Sequence, residues 1–521
     1  CRGIPMERER SMMKRVLTFL LALLTVLALT ACGGRAQSST LIYGSTDYDS
    51  INPIMNEHCE IKHLLFDSLV KRDGEGNLVP SLATDWNYNA ETMTWTFRLR
   101  DDVKWHDGEP FTAEDVKFTI EAIQDPANDS ENLPNYTEVQ EIQVLSDTEI
   151  AFVLSEPNFA FLDYMTMSIV PEHKLRGEDM WQSDFFRHPI GTGPYKLESW
   201  DVGQSITMAK NESYFGGTPK IDTVIFKIVT DDNAKALQLM GGELNLAQVT
   251  PKDAVTLAEN GDLTIHNMKT ADYRGILYNF HNAYWQENGD LIPAISYCVD
   301  RQAILDAVLL GHGMVAYSPI QLNKYNYEGV EHYDFDLQKA AEAFTAAGCE
   351  RDAEGYWCRD GKRIGFTINA TPGDQVRIDM AQIAAQQLQE AGLDVKANVP
   401  AEGIDWGGQE CCIIGWGSPF DADDHTYKVF GTGNLANYSG YSNAEVDKYL
   451  RLARQTGVDA ERAEYYRQFQ IAMAEAPAYT FLCYIDAPYA ASTRIHGIDD
   501  STVLGHHGVG IFWNITEWTI D

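Results

Sequence analysis

Positive charge is scarce in this 521-residue chain: 40 Lys and Arg stand against 76 Asp and Glu, a net charge of −36. Such a surface repels nucleic-acid phosphates and anionic lipid headgroups, which excludes nucleic acid as a partner. Cysteine is also sparse, nine in all, and no Cys-x-x-Cys or zinc-knuckle spacing occurs. That removes the local signatures of a structural zinc or a dithiol redox centre. Neither His-Glu-x-x-His nor Gly-x-Ser-x-Gly is present, nor any catalytic-cysteine motif, so a secreted hydrolase stays only as an alternative of another class. Adjacent acids such as Asp423 and Asp424 can do acid–base chemistry, but in a chain this acidic they read as a solvated face. Internal repeats and low-complexity tracts are absent. Beyond the N-terminal region no stretch is long and apolar enough to span a bilayer.

What is present starts near that N-terminus. The residues before Met12 or Met13 read as an upstream extension. Lys14 and Arg15 precede an uncharged apolar run over 16–29, followed by Thr30, Ala31 and Cys32. The run falls short of the roughly 20 residues of a membrane span and ends in small residues, so it reads as an export signal. Leu-Thr-Ala-Cys over 29–32 resembles a bacterial lipobox, which implies cleavage before Cys32 and diacylation of its thiol. An N-terminal lipid holds a protein at a membrane without crossing it.

Without residues 1–31, which hold five basic and two acidic residues, 490 residues remain with a net charge near −39. That length suits two or three domains. Hydrophobic residues make up 44% and aromatics 11%, enough for packed cores despite the charge. Seven cysteines remain beyond Cys1 and Cys32; the odd number requires a free thiol in a monomer. Cys349 and Cys358 flank a glycine-containing turn and can bridge. Cys411 and Cys412 sit in an apolar stretch and read as buried strand.

Periodicity outlines a mixed α/β chain. A short polar linker precedes a first strand at 41–44, and 61–70 has helical spacing. Residues 86–100 alternate as a hairpin, with Trp95, Phe97 and Leu99 on one face. Thr112 and Asp115 form a variant capping box. Ile-Gly-Thr-Gly-Pro over 190–194 is a tight turn; it lacks the Lys-Ser/Thr and helix start of a phosphate loop. Strand 221–229 and helix 231–240 follow. Helical patterns then cover 292–310, 337–347, 377–391 and 444–473, the third ending at Gly392 before a strand at 394–399.

Several segments, in order, resemble the family 5 extracellular solute-binding proteins. The longest covers 65–118, with Pro80-x-Leu82-Ala83-x-x-Trp86, Thr94-Trp95-Thr96-Phe97-x-Leu99-Arg100 and Lys104-Trp105-x-Asp107-Gly108-x-Pro110-Phe111. Others are Gly191-Thr192-Gly193-Pro194-Tyr195, Asn211-x-x-Tyr214-Phe215-Gly216-Gly217-x-Pro219, Gly242-Glu243-Leu244-Asn245-Leu246, 340–348, Trp416-Gly417-Ser418-Pro419-Phe420-Asp421 and 438–447. The resemblance implies an α/β, two-lobed periplasmic-binding-protein type II fold of the large, three-subdomain variety, with a hinged interlobe cleft. Lobe I would combine 41–75, 185–280 and 490–521, with 76–184 as its second subdomain. Lobe II would be 281–489, and the chain would cross between lobes near Tyr278 and Ser492. The implied role is to capture short peptides or peptide-like ligands for the permease of an ABC importer. The alternative is nickel or another transition metal as an organic chelate, and that chelate would be the ligand rather than a cofactor. A monomer is implied because the lobes must move. A sensory or adhesive protein on the same fold stays open as a third class.

The resemblance also nominates residues. Trp416 and Phe420 would wall the ligand, with Asp421, Asp423 and His425 following. Dipeptide binders carry an aspartate where Pro419 stands; the loop is closer to the nickel branch, Trp-Gly-x-Pro-aromatic-Asp. That branch, however, has an arginine within the segment matching 164–170 and a histidine at the position of Asn434, and this chain has neither. Arg274 and Arg377 can receive a carboxylate bidentately. Tyr43, Tyr136 and Asn279 lie in segments that face the cleft in relatives. His58, Cys59, His425, His506 and His507 are the potential metal donors.

Overall fold

Two strands of uncommon length hold the molecule together. In the computed structural model, which describes residues 39–55, 60–418 and 421–521, Leu263–Tyr278 runs antiparallel to Tyr479–Ser492. Leu263 opposes Ser492 at one end and Leu277 opposes Tyr479 at the other. On one side the sheet continues through Leu246–Gln248, Thr40–Ser45, Thr223–Ile228, Ser205–Lys210 and Tyr195–Asp201; on the other through Cys411–Trp416, Gly365–Asn369 and Asp394–Asn398. Cys32, His58, Cys59 and Phe420 lie outside the described residues.

The ladder between the long strands breaks its register between Lys269 and Tyr273. A bulge bends its strand and sharpens the twist, and here it divides the cores. Met268, Ala487 and Tyr489 belong to one apolar cluster with Leu41, Trp95, Ile120, Phe226 and Trp518. Tyr273, Leu277 and Tyr484 belong to another with Phe430, Tyr466 and Phe469, beside a third built on Trp285, Phe366 and Leu388. The two long strands thus contribute to separate apolar clusters on the two sides of the bulge.

Local expectations hold where the cause is local. Ala83–Asn89 and Thr94–Leu99 form the hairpin, extended by Glu149–Leu154 and Val139–Ser146 into a four-stranded antiparallel sheet. Trp95, Phe97 and Leu99 are buried. The helix Ala113–Gln124 starts with the Thr112 amide donating to Asp115 Oδ2 at 2.9 Å. Gly191 is glycine because a Cβ there would lie 1.7 Å from the Leu65 carbonyl oxygen.

Four expectations are corrected. The helix at 61–70 is only Lys62–Leu65; beyond it the Asp67, Ser68 and Leu69 carbonyls accept from Ile169, Leu82 and Ala83, which draws the backbone out straight. The pattern at 292–310 splits into Ile292–Ser296 and Arg301–Leu309, the second capped by Asp300 accepting from the Ala303 amide at 3.0 Å. The pattern at 444–473 splits around Gly457 into Ala444–Gln455 and Asp459–Glu475. Cys349 and Cys358 are free thiols: Cys358 pairs with Glu350 across the strands, which puts Cys349 on the opposite face. No helix among the described residues is long and apolar enough to cross a membrane.

Candidate ligand-binding site

The site grows from the bulge. Strand Cys411–Trp416 pairs with the first long strand so that Gly415 faces Arg274 and Trp416 faces Tyr273. A Cβ on Gly415 would lie 2.1 Å from Arg274 Nη1; without it the guanidinium lies across the strand. Gly417, at φ +156°, would put a Cβ 1.7 Å from the Ala271 carbonyl oxygen. Backbone contact at the bulge thus fixes where Trp416 emerges.

Asp272, fully buried, is the centre of the charge arrangement. Its Oδ1 accepts from Arg274 Nη1 and lies 2.8 Å from His506 Nδ1, and its Oδ2 accepts from the His507 amide at 3.1 Å. That last bond helps hold His507 at φ +58°, a left-handed conformation uncommon for a side-chain-bearing residue. The rings then gather. Trp416 lies 6.0 Å from His506 at an interplanar angle of 20°, and 5.4 Å from His425; the two imidazoles are 6.3 Å apart. Tyr438 and Trp406 extend this wall outward at 5.8 Å and 4.7 Å spacings. His425 Nδ1 accepts from the Gly417 amide at 3.0 Å, so the neutral ring carries its proton on Nε2.

Burial pushes the Asp272 carboxyl up, but Arg274 and the two neighbouring histidines outweigh it and hold the group well below the carboxylate range. Burial lowers His506 despite Asp272, which favours the neutral imidazole that binds metals. Arg377 is lowered by burial and then by the charge of Arg274. Two arginines therefore stand close together; the buried Arg274 Nε has no hydrogen-bond acceptor, whereas Arg377 Nε is ion-paired with Asp374 Oδ2 at 3.1 Å. A buried donor left unsatisfied is costly, and an acceptor such as a carboxylate would satisfy it. Asp272, His506 and His507 can each present a ligand atom within 4.8 Å of the others, and the Asp272 bond to Nδ1 turns His506 Nε2 away from the carboxylate.

The structure brings together Trp416, His425, His506, His507, Arg274 and Arg377 of the residues nominated from sequence. It places the others elsewhere. Both Asp421 oxygens accept from Arg462, at 2.6 Å each, and Asp423 is buried against Arg454 and Tyr164; neither carboxylate is oriented to a ligand. Tyr43 packs edge-on against Phe226 and Phe512. Tyr136 donates its hydroxyl to the Tyr164 carbonyl at 2.6 Å. Asn279 is consumed by the Gln409 carbonyl at 2.8 Å and the His281 amide at 3.0 Å. Tyr136 and Asn279 are core and turn residues whose side-chain polar atoms are matched by backbone, and Tyr43 is a buried core residue. Asp272, Tyr438 and Trp406 were missed; the Asp272-x-Arg274 spacing, two residues on one strand face, was the available signal.

Residues 77–438 match the profile of the bacterial extracellular solute-binding proteins, family 5 (middle region). The chain is a family 5 extracellular solute-binding protein. The solute-binding protein has the mixed α/β, type II periplasmic-binding-protein fold of its structural neighbours. It is 31% identical to Protein XP55 of Streptomyces lividans over 89% of this chain and 87% of that protein. Among solved structures it is similar to NikZ from Campylobacter jejuni in complex with Ni(L-His), with 31% identity and a TM-score of 0.85 over 92% of this chain and 99% of that one. It is also similar to the oligopeptide-binding protein AppA from Bacillus subtilis in complex with a nonapeptide, with 27% identity and a TM-score of 0.80 over 93% and 99%.

Proposed function

We propose that this solute-binding protein captures a transition metal held in a small carboxylate-bearing chelate, of the nickel–histidine kind, and delivers it to the permease of an ABC importer. The observation that carries this reading is the Asp272–His506–His507 cluster beside Arg274 and Arg377. Imidazoles suit nickel, copper and zinc, and the arginines complement chelator carboxylates. His506 Nε2 supplies a protein ligand, Asp272 fixes the ring, and Trp416 with Tyr438 covers the chelate's flat face. The likeness to NikZ adds support. Binding and release need no chemical step, and the protein works as a monomer, held to the membrane by lipid on Cys32.

A short peptide is the second reading, favoured by the same two arginines, which suit a C-terminal carboxylate, and by the likeness to AppA. In that case the imidazoles would have no ligand role. Titration calorimetry with nickel chloride and L-histidine separates the two: one metal per chain is expected, and His506→Ala weakens binding at least tenfold. Absence of heat with nickel and histidine, together with peptides co-purifying with metal-free protein, would reject the metal reading. Cys32→Ser is expected to release the protein from membranes with no loss of binding; continued lipid labelling in that variant would reject the anchor.

A further inference from the structure

Asp423 stands two residues before His425, yet its carboxylate points into a buried charge cluster. Arg454, only 2% exposed, sits in the helix Ala444–Gln455. Its Nε donates to both Asp423 oxygens at 3.2 Å and its Nη2 to Asp423 Oδ2 at 2.7 Å. Nη1 donates to Glu138, and Nη2 also donates to Tyr164 Oη at 3.2 Å. The Tyr164 hydroxyl donates to Asp423 Oδ2, and the guanidinium lies 3.5 Å over the Tyr427 ring.

The members of this cluster come from different halves. Glu138 directly precedes the strand Val139–Ser146 of the four-stranded sheet, and Tyr164 shares its core with Trp95 and Phe152. Asp423 and Arg454 belong with the helices around Tyr466 and Phe469. The Asp423–Arg454 pair exists whatever the relation of the halves; the bonds to Glu138 and Tyr164 exist only when the halves meet. Neighbouring contacts follow the same line. The Phe159 amide donates to the Arg454 carbonyl at 2.9 Å, and Gln455 Nε2 to Glu156 at 2.9 Å. A Cβ on Gly457 would lie 2.4 Å from the Phe159 ring, so the surfaces touch there without room for a side chain. Arg72, paired with Asp163 in the first half, lies in the field of Asp421 and Asp424 of the second.

We propose that Arg454 is a positioning residue that couples the ligand site to closure of the two halves. On one side it holds Asp423, and with it the turn that carries His425 beside Trp416. On the other it docks on Glu138 and Tyr164, which are available to it only in the closed form. The latch forms between protein groups alone and is independent of which ligand fills the cleft. Loss of the cross-cleft partners opens the halves, and the His425 turn, still tied to Arg454, moves away from the opposite wall.

The test is hydrogen–deuterium exchange on the full chain without added ligand, so failure of the metal reading leaves the result interpretable. Glu138→Ala/Tyr164→Phe removes only first-half partners, and Gly457→Val wedges the same contact without changing a charge. Both are expected to speed exchange at least tenfold in segments 156–164 and 450–458, while Asp459–Glu475 and the 83–99 hairpin exchange as in the unmodified protein. Unchanged exchange in the two segments would overturn the latch. Faster exchange spread through all the helices around Tyr466 would overturn it too, because the cluster would then be an ordinary stabiliser of one half.

Discussion

At the scale of single residues, backbone groups fix tautomers that side-chain chemistry alone would leave open. His106 is anchored at both ring nitrogens: Nδ1 accepts from the Gly191 amide at 3.1 Å, and Nε2 lies 3.0 Å from the Gly193 carbonyl oxygen. The neutral Nε2–H tautomer satisfies both, whereas a second proton would face an N–H. Burial pushes the imidazole down to about 4, against the hydrogen bond to the Gly193 carbonyl, which raises it. The unfolded ring titrates near its ordinary value of about 6.5. Between those values the unfolded chain binds a proton that the folded chain refuses, so this contribution is intact above pH 6.5 and is lost as pH falls towards 4. The loss amounts to about 3 kcal/mol at pH 4. An NMR titration should find the His106 ring neutral down to about pH 4; a midpoint near 6.5 would sink the argument. The site shows the complementary limit of sequence. Trp416, His425, His506 and Arg377 were legible by type and by motif. The partners that decide which acids remain for a ligand were not, because Asp421 and Asp423 are claimed by Arg462 and Arg454 through a fold-level contact.

At the scale of elements, the informative positions are those where one backbone touches another. Gly417 follows the strand Cys411–Trp416 and lies against the bulge at Ala271. Gly417→Ala must relieve both the positive φ and a collision with a carbonyl oxygen that no rotamer can avoid. The expected destabilisation is about 2–4 kcal/mol, with weaker ligand binding because Trp416 and His425 move together. A Gly417→Ala protein with unchanged denaturation midpoint and unchanged affinity would refute the claim that this contact sets the site. Helix existence was readable from apolar spacing, and the capping box at Thr112 from three letters. Helix breaks were not. The interruption at 297–300 depends on Asp300 capping a second helix, and the shortness of Lys62–Leu65 depends on strands distant in sequence that claim the following carbonyls. The bulge at 270–272 was not read either, although the apolar phase slips by one residue between Met268 and Ala271.

At the scale of the whole molecule, the order of family-like segments carried the architecture, while the physics of the hinge had to come from the cores. Two sets of apolar clusters are joined through the pair of long strands and touch again at Phe159 and Gly457, and the strands lose register where they cross. Little apolar surface therefore ties the melting of one half to that of the other, and a single two-state transition is not required. Calorimetry of the ligand-free protein should resolve two overlapping transitions, with a calorimetric enthalpy exceeding the van't Hoff value. A ligand seated between Asp272, Trp416 and His506 binds only when both halves are folded, because His506 Nδ1 belongs to the segment after the second long strand and Trp416 to the strand before it. Saturation at about 100 times the dissociation constant adds about 2.7 kcal/mol to the folded form, and that stabilisation acts on both transitions at once. Nickel chloride with L-histidine should accordingly raise both and draw them together. If only the transition of the half containing Trp416 moved, the ligand would be held by one lobe, and the cleft would not be where binding energy is exchanged for closure.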